Sequence, residues 1–132
     1  MDKQQIQQRL LQAPFNAFMG FEVLTVDPKK QEVSMQLKMR LEVERRGGFW
    51  HGGPLAAAID VVGDYALAMM VGEPMPTINL RVDYLRPAKS ALTLVGRVRR
   101  IGKTVAVVDV EVLTESGEVA ALGRVNYSTA QS

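Results

Sequence analysis

Cysteine is absent from this chain of 132 residues, and histidine occurs only once, as His51. Without cysteine, the protein can form no disulfide bond and can use no thiol nucleophile. Zinc sites need three or four ligands drawn from histidine, cysteine and carboxylate side chains. We therefore expect neither a bound metal nor a redox cofactor.

An excess of charge of either sign is also missing, because 16 lysines and arginines stand against 14 aspartates and glutamates. The resulting formal charge of +2 is too small to indicate a nucleic-acid partner. Residues 1–12 lack the apolar core of a signal peptide, and Asp60 and Asp64 interrupt the longest apolar run, so no membrane span is expected. We expect a cytoplasmic protein. Its length and 47% hydrophobic content fit one domain spanning residues 1–132.

Residues 50–71 carry the most informative pattern in the sequence. Two glycines and Pro54 precede a long apolar run that stops at Gly72, which predicts a capped helix over residues 54–71. The only charges in this run are Asp60 and Asp64, which lie four positions apart and so share one helix face. Because carboxylates on a largely buried helix seldom lack a partner or a task, both acids are candidate functional residues.

The start of this helix offers a place for a developing negative charge. The backbone N–H groups of Gly52, Gly53 and Leu55 lie at the positive end of the helix dipole, where they lack acceptors within the helix. Asp60 lies seven residues beyond Gly53, roughly 10 Å along the axis, which is too far for both to reach one carbonyl group. A second copy packed with its helix antiparallel would bring the two together, so we predict a site shared between subunits.

Six further segments are predicted to be strands, since each combines apolar alternation with flanking turn residues. They are residues 21–26, 32–40, 77–86, 91–100, 104–113 and 118–128. Short links between most successive strands imply antiparallel pairing. A short amphipathic helix at residues 2–12 and a connector at 13–20 precede them. The fold class is therefore α+β, with a curved antiparallel sheet wrapped around the central helix.

These features together resemble the hotdog-fold acyl-CoA thioesterases of the phenylacetate-pathway, PaaI-like type. The resemblance rests on His51-Gly52-Gly53, on the acid at Asp60, on T-I-N-L-R-V-D-Y-L-R-P-A at 77–88 and on G-K-T-V-A-V-V-D-V-E-V at 102–112. It covers nearly the whole chain. It implies hydrolysis of an acyl- or aroyl-CoA to the free acid and coenzyme A, with coenzyme A as part of the substrate. It also implies a homodimer or a dimer of dimers, a homotetramer.

The resemblance assigns catalytic roles to five residues. Asp60 would be the general base or nucleophile, and Gly52 and Gly53 would supply the oxyanion-binding N–H groups. His51 would order the loop and the site, and Thr77 would present a hydroxyl near the acid. Structural alternatives stay open: a cross-dimer hydrogen bond for the acid, a plain helix start for the glycines and a plain strand start for the threonine.

Further residues are candidates for substrate binding. Asp64 would assist or replace Asp60, or make a structural hydrogen bond. Arg45 occupies the position of a family asparagine, while Gly48 matches the family glycine; Arg45 either meets an anionic substrate group or lies in a solvated loop. Three cations at strand ends or turns would meet the phosphates of coenzyme A, unless they simply face solvent: Arg86, Arg100 and Lys103.

Three other functions remain open at this point. The same fold houses dehydratases and hydratases, but these need a catalytic histidine on a motif of their own, and the only histidine here lies in His51-Gly52-Gly53. A non-catalytic acyl-CoA-binding sensor would bind without turnover. A purely structural interaction protein would not require an acid on a buried helix.

Overall fold

A sheet of six antiparallel strands wraps around one long helix in the computed structural model, which describes residues 1–130. The helices are α1 Lys3–Gln12, α2 Pro14–Met19 and α3 Gly52–Val71, with a 3-10 turn at Leu41–Val43. The strands are β1 Glu22–Asp27, β2 Glu32–Leu37, β3 Glu44–Arg45, β4 Phe49–Trp50, β5 Thr77–Tyr84, β6 Leu92–Ile101, β7 Val105–Leu113 and β8 Val119–Ser128. The sheet order is β1-β2-β6-β7-β8-β5, and β3 pairs with β4 separately. The predicted α+β hotdog fold is confirmed.

Helix α3 is the predicted central helix, and it begins two residues earlier than expected, at Gly52. It ends at Val71, and the next residue, Gly72, caps it in a left-handed conformation with φ of 100° that glycine tolerates without strain. By length and composition alone, α3 is apolar enough to cross a membrane, with a mean hydropathy of 1.5 over 18 residues. Its contacts with the sheet account for this composition, because side chains such as Ile59, Val62 and Leu67 are fully buried there.

The N-terminal segment packs as predicted, with one difference. Ile6 and Leu10 of α1 are buried, as expected for the apolar face of the predicted amphipathic helix. The segment expected to be a connector contains the short helix α2, which Pro14 begins and which Gly20 ends with φ of 74°. A six-residue helix shows too few turns of periodicity to be read from its sequence.

Strand β5 carries a bulge that decides which side chains face the helix. Thr77 pairs with Tyr127, but Asn79 pairs with Asn126, so one extra residue is inserted at this point. In a regular strand, Thr77 would lie on the opposite face from the even-numbered residues that follow it. The bulge changes this, so that Thr77 faces α3 and its hydroxyl contacts Asp60. The bulge therefore re-aims one side chain at the helix.

We expect Gly123→Ala to destabilise the fold, since α3 lies against the sheet at this glycine. An added Cβ would lie 2.5 Å from Cγ2 of Ile59. Overpacking of this kind typically costs about 1–3 kcal/mol. Urea denaturation of Gly123→Ala, Ile59→Ala and the double variant checks the cause. The double variant should lose less stability than the sum of the two single losses, and strict additivity would contradict a steric origin.

Candidate active site

The structure brings Asp60 and Thr77 together across the helix and the sheet. Thr77 Oγ1 donates a hydrogen bond of 2.7 Å to Asp60 Oδ1. The Tyr127 hydroxyl donates to the backbone carbonyl of Asp60 at 2.6 Å, which fixes this turn of α3 on β8. The Asp60 side chain itself is half-buried. The carboxylate is thus held by a neutral donor on one oxygen, on a helix that cannot shift freely.

Some of the N–H groups predicted to bind an oxyanion at the start of α3 already donate hydrogen bonds within the chain. His51 caps the helix, because its Nδ1 accepts the Gly53 N–H at 3.1 Å. The Leu55 N–H donates to the His51 carbonyl, and Pro54 has no N–H. Among residues 1–130, this leaves Gly52 as the first-turn donor without an acceptor. Gly53, predicted as a second oxyanion donor, is committed to the cap.

We expect His51→Ala to lose about 1 kcal/mol of stability, the usual value for removal of a helix N-cap. His51→Asn should keep most of this stability, since asparagine is among the best N-cap residues. Thermal unfolding of both variants measures the difference. If His51→Asn proved as destabilising as His51→Ala, the cap would not be the contribution of this side chain.

A tyrosine that the sequence analysis did not single out completes the helix start. The Tyr84 hydroxyl donates to the Gly52 carbonyl at 2.6 Å. Its ring also lies close enough that a Cβ on Gly52 would stand 3.3 Å from the phenol oxygen. In the sequence, Tyr84 lies within the predicted strand 77–86, a position that does not by itself indicate a contact with a helix.

A cavity of about 320 Å³ opens beside this helix start. Its lining combines apolar and aromatic side chains with two arginines: Arg45, Trp50, Gly52, Leu55, Tyr84, Leu85, Arg86, Pro87 and Ala88. The Arg45 guanidinium lies 4.7 Å from the centre of the Phe49 ring, and the Lys89 ammonium lies 4.6 Å from the same ring. Asp60 is not part of this lining, so one chain presents its acid and its helix start at separate places.

The three cations predicted to meet coenzyme A are not brought together in one chain. Arg86 lies beside the first residues of β8 and forms an ion pair with Glu118. Arg100 pairs with Val107 near the start of β7, and Lys103 follows in the turn, beside the far end of β8. At about 3.3 Å per residue, these two ends of the strand lie roughly 25 Å apart.

The second acid of α3 has a different environment from the first. Asp64 Oδ1 accepts the Met75 N–H at 2.8 Å. Burial raises the pKa of Asp64 to about 7, the hydrogen bond from Met75 opposes this change, and the nearby Asp60 carboxylate adds to it. The predicted role of Asp64 in substrate binding stays a prediction, but its carboxylate faces the segment that leads into β5.

We expect Asp64→Asn to change how stability depends on pH. Because the folded pKa of about 7 lies above the ordinary 3.8, the folded state holds a proton that the unfolded state has released, so stability falls as pH rises from about 4 to about 7. At about 1.4 kcal/mol per pKa unit, the loss is at most roughly 4 kcal/mol.

Asp64→Asn should remove that slope and be about 2–4 kcal/mol more stable than the wild type at pH 8. Urea denaturation between pH 4 and pH 8 measures it. The exposed Glu115→Gln serves as the control for loss of one negative charge. Equal slopes for the wild type and Asp64→Asn would contradict the prediction.

Comparison with known families and structures decides the family. The sequence model of the Thioesterase superfamily matches residues 47–121, which include α3, Asp60 and β5. The chain belongs to the thioesterase superfamily. A protein of Saccharolobus solfataricus whose name describes it as an inferred esterase is 33% identical to this thioesterase-superfamily protein over 107 residues, covering 79% of this chain and 76% of that one.

Solved structures agree with this assignment. A crystal structure of a protein from the thioesterase superfamily has a TM-score of 0.89 and 33% identity, and covers 96% of each chain. The PaaI protein from the E. coli phenylacetic acid degradation operon has a TM-score of 0.81 at 20% identity, covering 96% of this chain and 91% of that one. At that identity the likeness shows the fold alone. The hotdog thioesterase family predicted from the sequence is confirmed, and this superfamily member is a hydrolase.

Proposed function

We propose that this thioesterase-superfamily protein hydrolyses acyl-CoA, with Asp60 as general base or nucleophile. The observation that carries the proposal is the hydrogen bond from Thr77 to Asp60 Oδ1, on a helix face that the sheet leaves partly open. Among residues 1–130, no side chain donates to the other oxygen, Oδ2. That oxygen is therefore free to meet a water molecule or a thioester carbonyl carbon.

Either role for Asp60 gives a balanced reaction. As a base, Asp60 takes a proton from water while the water oxygen attacks the carbonyl carbon; the C–S bond then breaks and the thiolate receives the proton. As a nucleophile, Asp60 attacks the carbonyl carbon and displaces the thiolate to form an anhydride. Water then cleaves the anhydride, which restores the Asp60 carboxylate and releases the acid, and the proton that water gives up goes to the thiolate. In both cases a negative charge develops on the carbonyl oxygen, where a fixed N–H donor stabilises it.

The Gly52 N–H is our candidate for that donor. It is the first-turn donor left without an acceptor among residues 1–130, and Gly52 lines the cavity together with Trp50 and Tyr84. The carbonyl oxygen of an acyl group seated there would reach the Gly52 N–H, while Arg45 at the rim would meet an anionic part of the substrate. His51 contributes by holding the turn through its cap.

The complete site requires a second copy of the chain. Gly52 and Asp60 lie about 12 Å apart along α3, at 1.5 Å per residue, so one chain cannot bring both to one thioester. Strand β5 is an edge strand, and its apolar side chains Ile78, Leu80 and Tyr84 are 51%, 38% and 53% exposed. An open edge with exposed apolar side chains is a surface on which another strand can pair. We propose a homodimer, or a dimer of dimers, with β5 edges paired and α3 helices antiparallel.

Release of free thiol from short, medium and aromatic acyl-CoAs tests the activity. Turnover with any of them, proportional to protein and absent from Asp60→Asn, supports the proposal. Binding of acyl-CoA without turnover would instead favour the acyl-CoA-binding sensor. Neither binding nor turnover across the panel would exclude both.

Mixed dimers test whether the site is shared. Asp60→Asn and Gly52→Pro each disable one half of a composite site. In a dimer with one chain of each variant, Asp60 of the Gly52→Pro chain faces Gly52 of the Asp60→Asn chain. One of the two sites is then intact, so about half of the wild-type rate should return. Mixed dimers that stay inactive while both variants remain folded would show that each chain forms its own site. A monomer at micromolar concentration would contradict the composite site directly.

A further inference from the structure

Two carboxylates of α3 hold the same short segment of chain at its two ends. Asp64 Oδ1 accepts the Met75 N–H at 2.8 Å, and Asp60 Oδ1 accepts the Thr77 hydroxyl at 2.7 Å. The acids are one helical turn apart, about 6 Å along the axis. Met75 and Thr77 are two extended residues apart, about 6.6 Å. The spacings match, so the segment can run antiparallel to the helix with both contacts made at once.

Met75 carries the only backbone N–H among residues 74–76. The residues on either side, Pro74 and Pro76, have no N–H. Pro76 is held from the other side, because its carbonyl accepts the Ser128 N–H at 2.8 Å. On the side of the helix, the Asp64 side chain holds residues 74–76 by accepting the Met75 N–H.

The bulge makes this contact important for Thr77. Regular pairing of β5 with β8 is interrupted between Thr77 and Asn79, so the ladder alone constrains Thr77 less than it constrains the rest of the strand. An anchor two residues upstream fixes the direction from which the chain enters the bulge. The Ser128 N–H holds this entry from the side of the sheet, and Asp64 is the side chain that holds it from the side of the helix.

We propose that Asp64 is a positioning residue that anchors the entry to β5 and so aims the Thr77 hydroxyl at Asp60. The inference rests on the proposed function for its catalytic consequence. Asp64 acts through the Met75 N–H, for which an acceptor oxygen is enough. Because an amide oxygen also accepts a hydrogen bond, Asp64→Asn should preserve the anchor, whereas Asp64→Ala removes it.

Steady-state kinetics test whether Asp64 acts through Thr77. The four variants are Asp64→Ala, Asp64→Asn, Thr77→Val and the double variant Asp64→Ala with Thr77→Val. Asp64→Ala should lower kcat about tenfold with KM within about twofold, the size expected for one lost hydrogen bond. Asp64→Asn should keep kcat within about threefold of the wild type. Combining Asp64→Ala with Thr77→Val should be no worse than Thr77→Val alone, since both changes break the same contact.

Two kinetic results would overturn the proposal. Equal losses in Asp64→Asn and Asp64→Ala would show that the charge matters and the anchor does not. Losses that multiply in the double variant would show that Asp64 acts independently of Thr77.

Structural measurements separate this inference from the proposed function. Amide hydrogen exchange at Met75 should be faster in Asp64→Ala and unchanged in Asp64→Asn, and a crystal structure of Asp64→Ala should show the Thr77 hydroxyl displaced from Asp60. If wild-type protein hydrolysed no acyl-CoA but these shifts occurred, the positioning role would stand and the activity would fail. If Thr77 stayed in place in a folded Asp64→Ala protein, the positioning role would fail whatever the activity.

Discussion

Replacing Asp60 with asparagine is expected to lower kcat for acyl-CoA hydrolysis by about 10²–10⁴, the usual contribution of a positioned general base. Asparagine has the size of aspartate, and its amide oxygen still accepts the Thr77 hydroxyl, so the local geometry should survive. What is lost is the basic and nucleophilic oxygen. Thiol release under saturating acyl-CoA measures the loss.

The control for Asp60→Asn is its folding. Urea denaturation should place its stability within about 1 kcal/mol of the wild type, as expected for a half-buried position whose hydrogen bond is kept. A folded Asp60→Asn protein that retains a tenth or more of the wild-type rate would remove Asp60 from the reaction.

Gly52→Pro is expected to lower kcat by about 10²–10³, the cost of removing one oxyanion donor. Proline eliminates the N–H and places Cδ where the oxyanion would lie. The helix should tolerate the change, because proline is favoured in the first turn. His51 precedes it with φ of −70° and ψ of 137°, the extended geometry that a residue before proline prefers.

Gly52→Ala is the matched control. Alanine adds the same Cβ beside Tyr84, 3.3 Å from the phenol oxygen, but keeps the N–H. We expect its rate to stay within about fivefold of the wild type, since a surface-accessible contact of this size is weakly disruptive. A comparable loss in Gly52→Ala and Gly52→Pro would show that space at Gly52 matters, and that its N–H does not.

The sequence predicted the large elements of the fold because they follow simple periodicities. Helix α3 was visible as an apolar run with glycine at its end, and β2 as part of the alternating segment 32–40, in which Val33, Met35 and Leu37 are buried. Short or irregular features were not visible. Helix α2 has too few turns to show a period, and a bulge such as that in β5 depends on pairing with a strand that is distant in the sequence.

The site was predictable only in part, for the same reason. The pairing of Asp60 with Thr77 was expected from the family resemblance and not from spacing, since 17 residues and a turn separate them. The commitment of Gly53 to His51 and the contact of Tyr84 with Gly52 depend on cap geometry and strand register. The separation of Arg86 from Arg100 and Lys103 follows from which ends of the strands meet, which a count of basic residues does not indicate.

The order of strands in the sheet also has a consequence for synthesis of the protein on the ribosome. Strand β5 is made before β6, β7 and β8, yet its sheet partner is β8, the last of the strands within residues 1–130. The place of Thr77 is therefore fixed only once Tyr127 has emerged, long after α3 and Asp60 are available. Contacts this distant in sequence form slowly. The contact between Asp60 and Thr77 should therefore be among the last within residues 1–130 to form in a nascent chain, after β1, β2, β6 and β7 can already pair around the helix.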